Sequence, residues 1–365
     1  MIAPRLDEVR AMDNSNRYLR MHVAKVRIAA ALCAGLAATA LFGPARAQTN
    51  QPAQDPAVTE AMDRGEKALK HRNYDEAISE FKKAIKRKPD CANCNFMLAI
   101  AYSRSGDAPH TLEWADKSIA LAGDDHSRAV IHDLKGEVFL ALAATDEPKL
   151  KDAEEEFRQA SQLNPHDARY SFNLAKTLEL LSKENEAKKE FDHCLTLKPD
   201  DQTVRAAKLI PQNPRLARAE FAPDFHLTTL QGQEYSLASA SGKVLVMDFW
   251  ATWCPPCRES VGELKQLTKK YSTDKLVVVS VSADEDDHAW RDFVDHKKMD
   301  WMQYRDNDHK ILSAFEIHAF PTYLVITGDG VIKRRIVGMN PQQTIVHRLK
   351  ETLESMPELE GELHK

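Results

Sequence analysis

The chain is 365 residues long, 43% hydrophobic and 29% charged, with a formal net charge of −5. That length exceeds one ordinary compact domain and calls for two, while the composition is that of globular chains. The mildly acidic balance, with no basic stripe interleaved with aromatics, gives no case for a nucleic-acid partner, and none is expected.

Residues 1–47 read as a secretory signal peptide. Lys25 and Arg27 precede an apolar run at 28–42, and Ala45-Arg46-Ala47 supplies a small-x-small end. The run is shorter than the roughly 20 residues of a membrane helix, so cleavage after Ala47 is expected and an uncleaved membrane anchor is the alternative. Asp7, Glu8 and Asp13 are unusual in such a leader and point to a start at Met21. Removing 1–47 takes away seven basic and three acidic residues and leaves a charge of about −9. Export places the mature chain in the periplasm or cell envelope, where disulfides persist. Residues 48–57 are polar and contain proline, as in a flexible leader.

Residues 58–200 hold four repeats. Ala77, Thr111, Ala153 and Ala187 share one position, and Phe81, Ala115, Phe157 and Phe191 lie four residues on. Ala84, Ser118, Ala160 and Cys194 follow, then Pro89, Gly123, Pro165 and Pro199. Gly65, Ala99, Gly136 and Ala175 mark the first helix of each unit. Units one and two, and units three and four, are offset by 34 residues. The middle step is longer by eight, with three extra residues near 122–127 and five near 145–151. Small residues let two helices approach, Phe fills the gap to the next unit, and Pro stops the second helix. The pattern resembles the tetratricopeptide repeat (TPR) family. That resemblance implies a groove for a protein or peptide; the residues themselves show helical hairpins and no ligand. Cys194, at a small packing position, reads as a buried thiol.

Cys91-Ala92-Asn93-Cys94 falls at the turn between repeats one and two. The plain reading is a local disulfide or two turn thiols. A redox relay with Cys254 and Cys257, or a metal half-site, are the alternatives. Cys94 is not followed by His, so c-type haem attachment is unsupported. Residues 201–219 are expected to form a closing helix at 203–210 and then a linker. The acidic runs Glu154-Glu155-Glu156 and Asp284-Glu285-Asp286-Asp287 read as solvated helix starts.

Residues 220–356 carry the second domain, and 357–365 a polar tail. A hairpin at 225–229 and 234–237 turns around Gly232. Buried strands follow at 244–250 and 276–281, with helices at 254–271, 287–297 and 308–315. A hairpin at 323–327 and 331–337 crosses Gly328-Asp329-Gly330, and 342–354 is a closing helix.

The chemistry centres on Trp253-Cys254-Pro255-Pro256-Cys257. A CxxC at a strand-to-helix turn puts the first sulfur at a helix N-terminus, where free N–H groups and the helix dipole favour a thiolate. Cys254 is the expected nucleophile and the more exposed sulfur; Cys257 is the buried resolving thiol. Pro255 and Pro256 stiffen the turn and delete two N–H donors. A zinc site would need two further ligands, which this half does not offer, so no metal and no cofactor are expected. Trp250 reads as core and Trp253 as lining the redox face. Asp248 is an acid inside an apolar strand, and burial there raises a carboxyl pKa.

Ala222-Pro223-Asp224-Phe225, Phe249 through Arg258, Phe320-Pro321-Thr322, and Gly328-Asp329-Gly330 with Gly338 together resemble thioredoxin-like disulfide oxidoreductases of the ResA/TlpA type. The resemblance implies a mixed sheet flanked by helices, and a cis peptide before Pro321. It implies that Trp253, Phe320, Pro321 and Thr322 hold substrate beside the Cys254/Cys257 redox disulfide. It also implies that Asp248 helps deprotonate the resolving cysteine, although the lysine that accompanies such an acid would fall at Ser280. The expected architecture is therefore multidomain: an all-α TPR solenoid followed by an α/β thioredoxin-like fold. The expected function is an exported thiol–disulfide oxidoreductase that reduces protein disulfides. A membrane thiol carrier supplies its electrons and the repeats recruit a protein or peptide; family analogy adds cytochrome c biogenesis. A disulfide oxidase or isomerase, a TPR scaffold with a redox-switch domain, and a peroxidase are the alternatives.

Overall fold

A computed structural model describes residues 55–338 and 345–359. The signal peptide, most of the leader at 48–57, the first turn of the closing helix and most of the tail lie outside the described residues. The chain divides into two compact units, Met1–Pro199 and Asp200–Lys365.

The first unit is four helical hairpins: α1 (Pro56–Lys70) with α2 (Tyr74–Arg87), α3 (Ala92–Ser105) with α4 (Ala108–Leu121), α5 (Asp125–Leu142) with α6 (Lys149–Leu163), and α7 (Ala168–Leu180) with α8 (Glu184–Thr196). Short polar side chains start many of them: Asp55, Asn73, Asp107, Asp124 and Asp167 each accept a backbone N–H of the first turn. The repeat positions are packed as their sizes demand. Phe81 and Phe157 are 0% exposed and Phe191 1%. A methyl added to Gly65 would lie 2.4 Å from the Phe81 ring, and one on Gly136 would lie 2.6 Å from Phe157. The long middle step is absorbed in two places. Helix α5 has 18 residues where the other seven have 13 to 15, and the remaining residues loop out at 143–148.

The second unit begins with α9 (Asp201–Leu209). The sequence places a helix here as a cap on the repeats. Its hydrogen bonds instead serve the second unit: Arg205 donates to the Ala222 carbonyl at 2.8 Å and pairs with Asp224, and Gln202 donates to the Phe221 carbonyl. Two short 3-10 turns lead to a hairpin of β1 (His226–Thr228) and β2 (Glu234–Ser236).

A five-stranded sheet follows in the order β5-β4-β3-β6-β7, built from β3 (Val244–Trp250), β4 (Leu276–Ser282), β5 (Met302–Arg305), β6 (Thr322–Ile326) and β7 (Ile332–Val337). Strands β3, β4 and β5 are parallel; β6 and β7 run antiparallel to their neighbours. Every residue of β3 and β4 is buried, because helices cover both faces, and so these strands read as unbroken apolar runs. Val244 and Val246 pack with Leu264 and Leu267 of α10 (Pro255–Lys270) and with Leu349 and Leu353 of α13 (Ile345–Glu354). Met247 and Phe249 point the other way, into a core shared with Trp290 of α11 (Asp287–His296) and Leu312 of α12 (Lys310–Ala314).

Strand β5 is absent from the sequence reading. It is four residues at the sheet edge, partly buried at three of them, and its alternation is too short to register. The β6–β7 turn needs glycine twice. Gly330 has φ +79, and a methyl on Gly328 would sit 2.7 Å from the Gly242 backbone.

Candidate active site

Strand β3 ends at Trp250 and delivers the chain to Cys254, the N-cap of α10, in extended backbone. Pro255 and Pro256 occupy the first helical turn, where a missing N–H costs least. The Cys257 N–H therefore stands first in line, and it donates to Cys254 Sγ at 3.3 Å. The two cysteines form a disulfide with Cα atoms 5.3 Å apart. Their exposures differ less than the sequence suggests: Cys254 is 4% exposed and Cys257 2%. Trp253 is the exposed residue of the turn, at 62%, while Trp250 is core at 1%.

Trp253 packs edge-on against Phe320, with ring centroids 5.7 Å apart. Both line a cleft of about 610 Å³ that also carries Glu285, Asp286, His309 and Leu312. The Phe320–Pro321 bond is cis. Of the four residues expected to hold substrate, Trp253 and Phe320 reach this cleft. Pro321 is buried, and its carbonyl accepts the Gly338 N–H. Thr322 is 2% exposed and its hydroxyl donates to the Ala319 carbonyl, so it braces the loop.

Asp248 is 3% exposed, on the face of β3 that α10 covers. Its direct neighbours in the sheet are Ser280 and Tyr323. Ser280 donates to Asp248 Oδ2 at 2.7 Å and itself accepts the Trp301 indole N–H at 2.8 Å. Burial pushes the Asp248 carboxyl up to about 7, against the pull of the Ser280 hydroxyl that donates to it. The Tyr323 phenol is held protonated by its own burial and by Asp248. Its oxygen lies 3.0 Å from the Ser260 hydroxyl, which donates to the Cys257 carbonyl at 2.8 Å. The Tyr323 and Ser260 hydroxyls thus reach the backbone of the resolving cysteine, while Asp248 Oδ1, beside Tyr323 in the sheet, is buried without a hydrogen-bond partner. Ser280 supplies no charge where a lysine would stand, so the acid is tuned by hydroxyls and burial.

Asp284 corrects the reading of its acidic run. It is 3% exposed and clamps the turn before Cys254. Its carboxylate accepts the Thr252 N–H at 3.0 Å, the Thr252 hydroxyl at 2.6 Å and the Ser282 hydroxyl at 2.6 Å. Asp286 caps α11, and Asp287 pairs with Arg291 and Arg305. The available signal was position: Asp284 stands just past the carboxyl end of a buried strand, where sites in α/β sheets collect. In the first unit, Glu154 departs from the solvated reading too. It is 9% exposed and bound by Arg158 and Lys183.

Residues 217–353 match the Redoxin family, and residues 62–126 and 168–201 match tetratricopeptide repeat families. The thiol-disulfide oxidoreductase ResA of Bacillus anthracis is 29% identical over 130 residues, which are 36% of this chain and 75% of ResA. The thioredoxin-like protein YneN of Bacillus subtilis is 35% identical over 131 residues, which are 35% of this chain and 76% of YneN. The chain belongs to the thioredoxin-like family. A solved thiol-disulfide oxidoreductase from Bacteroides fragilis matches at 27% identity, covering 36% of this chain and 98% of its own, with a TM-score of 0.32. The thioredoxin-like part is the second unit, and the TPR matches fall on the helical hairpins of the first. The protein is a thiol–disulfide oxidoreductase, an enzyme that exchanges disulfides with other molecules.

Proposed function

We propose that this oxidoreductase is exported and works as a reductant of protein disulfides in the periplasm or cell envelope. The observation that carries the reading is the placement of Cys254. It caps a helix N-terminus and adjoins Trp253, whose exposed ring and that of Phe320 edge a cleft able to take an extended client segment. Thiolate Cys254 attacks the client disulfide, forming a mixed disulfide and releasing one client thiol. Cys257 loses its proton and attacks Cys254 Sγ, freeing the second client thiol and closing the Cys254–Cys257 bond. Asp248, balanced between its two protonation states near neutral pH, is the base that takes the Cys257 proton. A membrane thiol carrier restores the dithiol, and the same family likeness suggests apocytochrome c as one client.

The repeats recruit a protein partner. Support comes from a half-satisfied charge cluster on α5 and α7, the first helices of units three and four. Asp133 is bound by Asn173 at 2.9 Å and faces Arg169, while Glu137 Oε2 is buried without a hydrogen-bond partner. Burial raises the Asp133 carboxyl to about 6 and that of Glu137 to about 8.

Two measurements test the reading. A reduction potential near that of thioredoxin, about −270 mV, supports a reductant, and one near the strongest dithiol oxidants, about −120 mV, reverses the direction. The Cys257→Ser chain is expected to stall with envelope proteins disulfide-linked to Cys254. A trap that collects nothing on Cys254 sinks the proposal.

A further inference from the structure

The second cysteine pair repeats the layout of the first. Cys91 caps α3 as Cys254 caps α10, with φ −80 and ψ 97 against φ −93 and ψ 106. In each, the first sulfur accepts the N–H of the second cysteine, at 3.1 Å for Cys91 and 3.3 Å for Cys254. In each, the Cα atoms are 5.3 Å apart and the second cysteine is buried.

Two differences favour chemistry at Cys91. Its side chain is partly exposed, whereas Cys254 is 4% exposed. The residues between the cysteines are Ala92 and Asn93, which keep the two N–H groups that Pro255 and Pro256 lack. Free N–H groups in a first helical turn stabilise a thiolate.

A pocket of about 220 Å³ opens beside the two residues between the cysteines. Ala92 and Asn93 form one side of it, and Phe96, Val130 and Ile131 give it an apolar lining. Its remaining wall includes Ala122, Gly123, Asp124, His126 and Ser127, from the stretch where the repeat pattern takes three extra residues. Asn93 Oδ1 is buried with no hydrogen-bond partner. A bond that merely staples the turn needs neither an opening nor an idle acceptor beside it.

We propose that Cys91–Cys94 is a second thiol–disulfide exchange site, taking electrons from a protein dithiol whose attacking cysteine is flanked by an apolar side chain that seats in this pocket. The partner's thiolate attacks Cys91 Sγ. The Cys91–Cys94 bond breaks, a mixed disulfide to Cys91 forms, and Cys94 leaves as a thiolate and takes up a proton. The partner's second thiol loses its proton and attacks the partner's first sulfur. That closes the partner's disulfide and releases Cys91 as a thiolate. The partner is oxidised by two electrons and the Cys91/Cys94 pair is reduced. The extra N–H donors stabilise the reduced form, which makes this pair the stronger oxidant of the two in the chain. A dithiol of the Cys254/Cys257 kind is therefore a competent donor.

The full chain serves for the test. It is equilibrated in glutathione redox buffers, alkylated, and mapped by peptide mass, so that each pair is read separately in one folded protein. Cys91–Cys94 is expected to open reversibly without change in circular dichroism, with an equilibrium constant for disulfide formation at least tenfold below that of Cys254–Cys257. A constant equal to or above that of Cys254–Cys257 overturns the proposal, as does a bond that yields only when the repeats unfold. The protein probe is the reduced Cys91→Ser/Cys94→Ser chain, whose Cys254 follows the exposed Trp253. It is mixed with the oxidised Cys254→Ser/Cys257→Ser chain, and electron transfer to Cys91–Cys94 is expected. Gly123→Trp in the acceptor adds a ring at the pocket wall from a position where a Cβ meets nothing within 4 Å. It is expected to slow reduction by the protein probe at least fivefold relative to reduction by dithiothreitol. No transfer, or equal slowing with both reductants, contradicts the assignment. The client trap on Cys254 reads the first site by itself, so either site can fail without the other.

Discussion

Asp248 sits between two hydroxyl-bearing neighbours in the middle of an apolar sheet, and its protonation links stability to pH. In the unfolded chain its carboxyl ionises near 3.8, whereas in the fold burial holds the proton to about 7. Between those values the folded chain binds more protons than the unfolded one, so stability falls as pH rises from about 4 to about 7 and is level above that. The accumulated cost is roughly 4 kcal/mol. Asp248→Asn removes the charge and keeps a polar side chain. It is expected to raise the melting temperature clearly at pH 8 and little at pH 4; an equal shift at both, read by calorimetry, contradicts the buried acid. Asp248→Ala is expected to slow release of a client from Cys254 more than the first attack, and stopped-flow traces with equal slowing of both steps count against the proton role. Asp284→Ala strips the Thr252 N–H and hydroxyl of their acceptor. The expected loss in denaturant unfolding is about 1.5–3 kcal/mol, as for other hydrogen bonds to charged groups. Asp248 was legible because one acid in an apolar strand is conspicuous. Asp284 was hidden among three other acids, and what separates it from them is burial, which follows from the end of β4 abutting the end of β3.

At the scale of elements, the repeats show why a pattern of sizes is easier to read than a pattern of edges. Gly65 and Gly136 each face a fully buried Phe of the paired helix, and the same contact recurs at a fixed spacing. Gly136→Ala pushes a methyl into Phe157 and is expected to cost about 1–3 kcal/mol. Thermal unfolding followed by helical circular dichroism checks it, and an unchanged midpoint would mean that the ring moves aside freely. The central strands β3 and β4 were equally legible, since burial on both faces leaves continuous apolar runs. Strand β5 was not, because a four-residue edge strand carries too little alternation. Helix α9 was visible as a helix, but its allegiance depends on Arg205 and Gln202 meeting residues 221–224, which no local pattern reveals.

For the whole molecule, one unit supplies a disulfide-exchange centre and the other a repeat scaffold with a cysteine pair of its own. The proposed export would give both pairs an oxidising surrounding in which their state matters. The mature protein is expected to begin at Gln48, which N-terminal sequencing of material from the envelope fraction determines; an intact leader there argues for an anchored form. The account rests most heavily on Cys254 of the reduced chain being a thiolate at neutral pH. The direct measurement is the rate at which iodoacetamide alkylates Cys254 in the folded dithiol form as pH is varied. A midpoint of about 7, with labelling at neutral pH well above that of an ordinary cysteine whose pKa is about 8.5, is the result the account predicts. A midpoint at or above that ordinary value would contradict it.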